Sequence, residues 1–85
     1  MPEVVMYCTN SCPFCVRAEK LLNKKDVDVT KFMIDSDPSK LKEMLKRTDG
    51  ARTVPQIFIG DTYVGGFDEL SELDIMDELD ELLVG

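Results

Sequence analysis

Apolar positions along the chain change their spacing several times, and each change marks an element. Val4-Val5-Met6-Tyr7 is an unbroken apolar run with the length of a buried strand. From Pro13 the spacing turns helical: Cys15, Ala18 and Leu22 share one face, while Arg17, Lys20 and Lys24 lie elsewhere. Pro13 suits a first helical position, where its fixed φ and missing N–H cost nothing. Val27 to Ile34 is rich in β-branched side chains and predicts a second strand. Asp37-Pro38 starts a second helix in which Leu41, Met44, Leu45 and Thr48 form one face, and Gly50 ends it. Gln56-Ile57-Phe58-Ile59 and Thr62-Tyr63-Val64 flank Gly60-Asp61, a hairpin signal with glycine where a type II′ turn needs it. After Gly65-Gly66, the residues Leu70, Leu73, Met76, Leu79 and Leu83 follow helical spacing and predict one final helix.

The resulting order is β-α-β-α-β-β-α. The first βαβ unit joins parallel strands through a right-handed crossover. The later hairpin adds antiparallel strands, so the expected fold class is α/β, a four-stranded mixed sheet flanked by helices on both faces. Eighty-five residues, 44% hydrophobic and 32% charged, suffice for one modest core and leave no room for a second domain.

Charge narrows the partners. A net charge of −7 argues against nucleic acid or an anionic membrane as a general partner. The charge is also uneven: residues 1–52 hold all ten Lys and Arg against eight acids, whereas residues 53–85 hold nine acids and no base. That acidic stretch reads as a solvated helix face. No apolar run approaches the roughly 20 residues of a membrane span, and the Met-Pro-Glu start lacks the basic and apolar segments of a leader. Three cysteines are too few, and an odd number, for a secreted disulfide scaffold. The expectation is a cytoplasmic protein, in a compartment that keeps thiols reduced.

In such a compartment Cys12-Pro13-Phe14-Cys15 carries the chemistry. It stands between a strand and a helix N-terminus. The thiolate is the nucleophilic form of cysteine, and the unpaired N–H groups and positive dipole end of a helix favour an anion by up to ~2 kcal/mol. The chain has no histidine, which excludes a Cys–His pair. Cys12 is therefore the candidate attacking sulfur, and Cys15, one turn inside the helix, the candidate resolving sulfur. Two other readings of the pair compete. A zinc site needs four ligands, and only Cys8 remains to join the two cysteines. Two inert structural thiols are the other. A CxxC beside a βαβ pattern favours redox exchange over both. Cys8, at the end of the first strand, reads as a small core side chain, with an accessory thiol as the alternative.

Cys12-Pro13-Phe14-Cys15, Thr53-Val54-Pro55 and Gly65-Gly66-Phe67-Asp68 occur in the order and spacing of a dithiol glutaredoxin. The chain resembles that family over roughly residues 3–83, and most of all its short bacterial type. The resemblance implies that residues 1–85 are one domain of thioredoxin-like fold, with Pro55 cis and facing the Cys12 loop. It implies glutathione as reducing co-substrate, held by Phe14, by Thr53, Val54 and Pro55, and by Gly66, Phe67 and Asp68. The Val54 backbone would pair with the extended tripeptide as a strand edge does. The helix beginning at Gly66-Phe67-Asp68 would receive the γ-glutamyl carboxylate, with Asp68 taking the ammonium. Many relatives place a lysine three residues before the first cysteine to hold the glycyl carboxylate; Thr9 stands there, leaving Arg52 or Arg17 as the substitute cation. The implied activity is glutathione-dependent reduction of glutathione–protein mixed disulfides and protein disulfides, by a monomer without a metal. Family members that carry iron–sulfur clusters generally have Ser where Cys15 stands and Gly where Pro13 stands.

Overall fold

The computed structural model describes residues 2–84, so the two ends of the expected 1–85 unit, Met1 and Gly85, lie outside the described residues. Eight elements follow one another: β1 (Val4–Cys8), α1 (Pro13–Lys24), β2 (Val29–Met33), α2 (Pro38–Arg47), β3 (Gln56–Ile59), β4 (Thr62–Gly65), α3 (Phe67–Ile75) and α4 (Leu79–Val84). The strands form one sheet in the order β2-β1-β3-β4. β1 pairs parallel with β2, from Val4 opposite Val29 to Cys8 opposite Met33. β1–β3 and β3–β4 are antiparallel, giving the expected mixed sheet.

Every residue of β1 is buried, because the strand is central and both its faces are covered. Side chains alternate across a strand, and the core divides accordingly. Val4, Met6 and Cys8 join Ile57 and Ile59 against Cys15, Ala18 and Leu22 of α1, Leu70 of α3, and Leu79 and Leu83 of α4. Val5 and Tyr7 join Phe58 against Met44 of α2 on the opposite face. On that face Tyr7 donates its hydroxyl to Glu43 and accepts from Arg47 at 2.9 Å. The guanidinium of Arg47 lies 3.8 Å from the centre of the Phe58 ring.

The expected helix starts hold. Pro13 and Pro38 occupy first-turn positions, and the Asp37 side chain accepts Ser39 N–H at 3.1 Å. Gly60 has φ +58 at the hairpin corner, and the bond Val54–Pro55 is cis.

Two expectations need correction. The second strand is Val29–Met33 rather than Val27 to Ile34: Val27 is buried in the approach to the strand. The final helix is two helices, α3 and α4, separated at Met76, Asp77 and Glu78. Asp77 has φ +59, a left-handed residue that stops α3, so Met76 is exposed instead of continuing the apolar face. Asp26 after α1 and Asp49 after α2 are left-handed in the same way, with φ of 59 and 58. All three of these helices thus run into a left-handed aspartate where glycine is the usual residue. After α2 the expected Gly50 comes one residue later, at φ +97, and its N–H donates to the Leu45 carbonyl at 2.8 Å.

Candidate functional site

The sheet itself assembles the three motif segments. Tyr7 near the end of β1 pairs with Gln56 at the start of β3. The loop that follows β1 and carries Cys12 therefore lies beside Thr53-Val54-Pro55, which lead into β3. Gly65 at the end of β4 pairs with Ile57, and this brings Gly66 and the start of α3 to the same place. At Gly66 an added Cβ would stand 3.4 Å from the Pro55 carbonyl oxygen, so the two segments are close-packed there. Gly65, at φ +113, supplies the backbone turn that an ordinary side chain disfavours.

Cys12 is the N-cap of α1. Its sulfur accepts the Cys15 backbone N–H at 3.3 Å, one of the donors that a helix start leaves unpaired. As a thiol it donates to the Val54 carbonyl oxygen at 3.7 Å, which links the cysteine loop to the proline loop. All three cysteines are free. Burial pushes the Cys15 thiol up to about 12, reinforced by its side-chain hydrogen bond to Cys12 and opposed by a backbone hydrogen bond from Thr9. Cys15 therefore stays protonated at neutral pH. Burial also pushes the Cys8 thiol up, partly countered by the Lys31 charge.

A cleft of about 190 Å³ opens at Val54, whose carbonyl meets the Cys12 sulfur; Cys12 and Cys15 are not among its lining residues. Phe14, Thr53, Val54, Pro55, Gly66, Phe67 and Asp68 line it, seven of the residues expected to bind glutathione. Phe14 is half exposed and its ring centre lies 6.2 Å from that of Phe67, giving the cleft an aromatic wall. Arg52 is exposed on the loop before Thr53 and does not line the cleft. Arg17 lies over the outer face of Phe14, 5.5 Å from the ring centre. A second cleft, of about 170 Å³, is lined by Cys12 and Cys15 themselves, with Cys8, Thr9, Glu19, Lys31 and Met33. There the Cys8 thiol donates to the Met33 sulfur at 3.4 Å.

Two residues of the site escaped the sequence reading. Glu69 lines the first cleft, and its carboxylate accepts the Gly66 N–H at 2.7 Å. The spacing Gly66-x-x-Glu69 is the acidic half of a capping box and was there to be read. Gln56 is 3% exposed. Its amide donates to the Thr53 carbonyl at 2.9 Å and to the Thr53 hydroxyl at 3.2 Å, and its oxygen accepts from Tyr63. It sits in a β-strand reading as apolar, so only its polarity amid Ile and Phe signalled a role.

Arranged this way, the centre can exchange disulfides: a nearly buried sulfur, 9% exposed as a residue, at a helix start, a protonated second thiol one turn away, and a cleft that begins at Val54, which the first sulfur touches. Comparison with known proteins agrees. The family model described as Glutaredoxin matches residues 4–64. A glutaredoxin of Pseudomonas aeruginosa is 48% identical over 83 residues, covering 98% of each chain. The solution structure of a Brucella melitensis glutaredoxin superposes with a TM-score of 0.83 at 38% identity, covering 98% of this chain and 89% of that one. The crystal structure of a buckwheat glutaredoxin–glutathione complex gives 0.85 at 28% identity, covering 98% and 77%. The chain belongs to the glutaredoxin family, thiol–disulfide oxidoreductases of thioredoxin-like fold.

Proposed function

We propose that this chain is a glutathione-dependent oxidoreductase of the cytoplasm, a single-domain monomer that reduces glutathione–protein mixed disulfides and protein disulfides through Cys12 and Cys15. The observation that carries the reading is the cleft at Val54, whose carbonyl meets the Cys12 sulfur, with walls made by the proline loop, the aromatic pair Phe14 and Phe67, and the N-terminus of α3. A tripeptide with an extended backbone and a carboxylate at one end matches such a cleft: backbone groups at Val54 for the chain, and helix N–H groups for the anion. The buckwheat relative, which shares this fold, was solved with glutathione bound.

In the reaction, the Cys12 thiolate attacks the glutathione sulfur of a mixed disulfide. The Cys12–glutathione bond forms, the bond to the protein sulfur breaks, and the protein leaves as thiolate and takes a proton. A second glutathione thiolate then attacks the bound glutathione sulfur, releasing glutathione disulfide and restoring Cys12. On a protein disulfide, Cys12 forms the mixed disulfide and Cys15 resolves it. Before the attack, burial and the hydrogen bond to Cys12 hold the proton on Cys15. Once Cys12 is bonded to another sulfur it carries no negative charge, so that hold weakens just when Cys15 must lose its proton to the departing thiolate.

Turnover of the mixed disulfide of glutathione and 2-mercaptoethanol tests the reading. Coupling to glutathione and its reductase should give clear turnover, and coupling to thioredoxin reductase little. The reverse ranking would overturn glutathione as co-substrate and leave disulfide exchange standing.

A further inference from the structure

The acids of residues 53–85 do more than solvate a helix. A cleft of about 260 Å³ runs along β4, the outer strand of the sheet, against α3 and the turn into α4. Its apolar lining is Tyr63, Val64, Leu73 and Met76, and its acidic lining is Glu69, Glu72 and Glu78. Tyr63 is 46% exposed and Met76 59%, so much of the apolar surface meets water. Among the described residues neither Glu72 nor Glu78 has a cationic partner; the ion pairs lie elsewhere, as Lys25 with Asp74 and Asp80, Lys31 with Glu19, and Lys40 with Glu43. Glu69 lines both this cleft and the one beside Phe14, so the two meet at that side chain.

Exposed apolar surface bordered by unneutralised carboxylates is complemented by one kind of polypeptide, an apolar side chain next to Lys or Arg. We propose that this cleft is a docking subsite for the protein half of the substrate, selecting segments in which an apolar residue stands beside basic ones. The inference rests on the adjoining cleft being the seat of the glutathione moiety. A glutathionylated protein seated there has its own chain leaving the reacting sulfur, and a segment passing Glu69 reaches Tyr63, Leu73 and Met76. Contacts remote from the reacting bond can then be used in the transition state. The carboxylates steer basic segments inward, an effect that weakens with salt. Small glutathione disulfides have no such segment and gain nothing.

Two glutathionylated peptides, identical except for a Lys-Leu-Lys or a Glu-Leu-Glu triplet placed at several spacings from the cysteine, test the proposal. At low ionic strength the basic peptide should show about fivefold higher kcat/KM, roughly 1 kcal/mol at 1.4 kcal/mol per tenfold. The double variant Glu72→Gln, Glu78→Gln should bring that ratio close to one, with turnover of the glutathione–mercaptoethanol disulfide and thermal unfolding unchanged. Equal turnover of the two peptides by the wild type overturns the proposal, and so does a preference that survives in the double variant. If the small disulfide itself is not turned over, the glutathione reading fails. Docking is then decided by a Lys-Leu-Lys peptide without cysteine: shifts in the amide resonances of Val64, Leu73 and Met76 support it, and their absence refutes it.

Discussion

Replacing Gln56 by Leu should separate what the proline loop contributes to substrate handling from what it contributes to the fold. Gln56 makes three hydrogen bonds, two to Thr53 and one from the Tyr63 hydroxyl. A neutral hydrogen bond contributes about 1 kcal/mol net. Thr53 and Tyr63 are both exposed, so their freed groups turn to water and escape the full desolvation penalty. The leucine fills a similar volume and adds apolar burial, which offsets part of the loss. The balance is about 1–2 kcal/mol, or a Tm lower by roughly 5–12 °C for a chain of this size. The larger effect should fall on the Michaelis constant. With Thr53 untied, the Val54 carbonyl is no longer fixed 3.7 Å from the Cys12 sulfur. KM for a glutathionylated peptide should rise by about threefold to tenfold, or 0.7–1.4 kcal/mol, measured well below the lowered Tm. Alkylation of Cys12 by iodoacetamide should change little, because the Cys15 N–H that caps its sulfur is untouched. Tyr63→Phe removes only the outermost bond and should reproduce a fraction of the KM change. A lowered Tm with an unchanged KM would refute the reasoning and leave Gln56 as a core residue only.

Cys12→Ser should abolish every exchange activity, whereas Cys15→Ser should retain most turnover of glutathione mixed disulfides and lose most reduction of protein disulfides, since a positioned thiol acts at effective molarities of up to ~10⁵ M or more; parallel assays of the two variants on both substrates check this. Raised thiols at Cys15 and Cys8 mean that the folded chain keeps protons which the unfolded chain releases above about pH 8.5. Stability should therefore be full below that pH and fall as pH rises toward 12; urea midpoints at pH 7.5 and about 10 read the drop, and Cys15→Ser should flatten it. Met44→Ala, at a fully buried position against Val5, Tyr7 and Phe58, should cost about 2–5 kcal/mol of stability by urea unfolding. It should leave kcat/KM unchanged while the protein is folded, because Met44 lies on the sheet face away from Cys12 and Cys15.

The parts legible in the sequence are those governed by short-range pattern. Val4 to Tyr7 read as a strand because burial on both faces demands an unbroken apolar run. The face Cys15, Ala18, Leu22 is the buried face of α1, and Asp37 and Pro38 cap α2 as their chemistry dictates. The break in the last helix was hidden because Leu70, Leu73, Met76, Leu79 and Leu83 follow one another at three or four residues, and both helices bury their leucines in one cluster. Yet the nine residues from Leu70 to Leu79 are about two and a half turns, which puts them on opposite sides of a continuous helix. Its signal was Asp77, and an acid at a helix C-terminus runs against the dipole preference. At the site, Cys12 was read from the CxxC at a helix start, and the cleft residues Phe14, Val54, Pro55 and Phe67 from the resemblance to the glutaredoxin family. Which cation approaches the cleft could not be read, because the direction of a long exposed side chain such as Arg17 or Arg52 depends on tertiary neighbours. Gln56 and Glu69 bond backbone groups only three residues back, at Thr53 and Gly66, so those partners were local and open to reading; only the Tyr63 hydroxyl is brought to Gln56 by the β3–β4 hairpin.

The left-handed aspartates after α1, α2 and α3 bear on how readily this chain can change. Each carries a Cβ in a conformation that favours glycine and puts a carboxylate at the negative end of a helix. Glycine relieves both, against a larger loss of freedom on folding, and improved helix ends commonly gain about 0.5 kcal/mol or more each. None of Asp26, Asp49 and Asp77 lines either the cleft beside Phe14 or the acidic one. Three solvent-side positions can thus be strengthened without touching the chemistry, and destabilising substitutions in the clefts can be tolerated against that gain. New substrate preference could be acquired at Glu72, Met76 or Thr53 while the sulfur centre stays as it is.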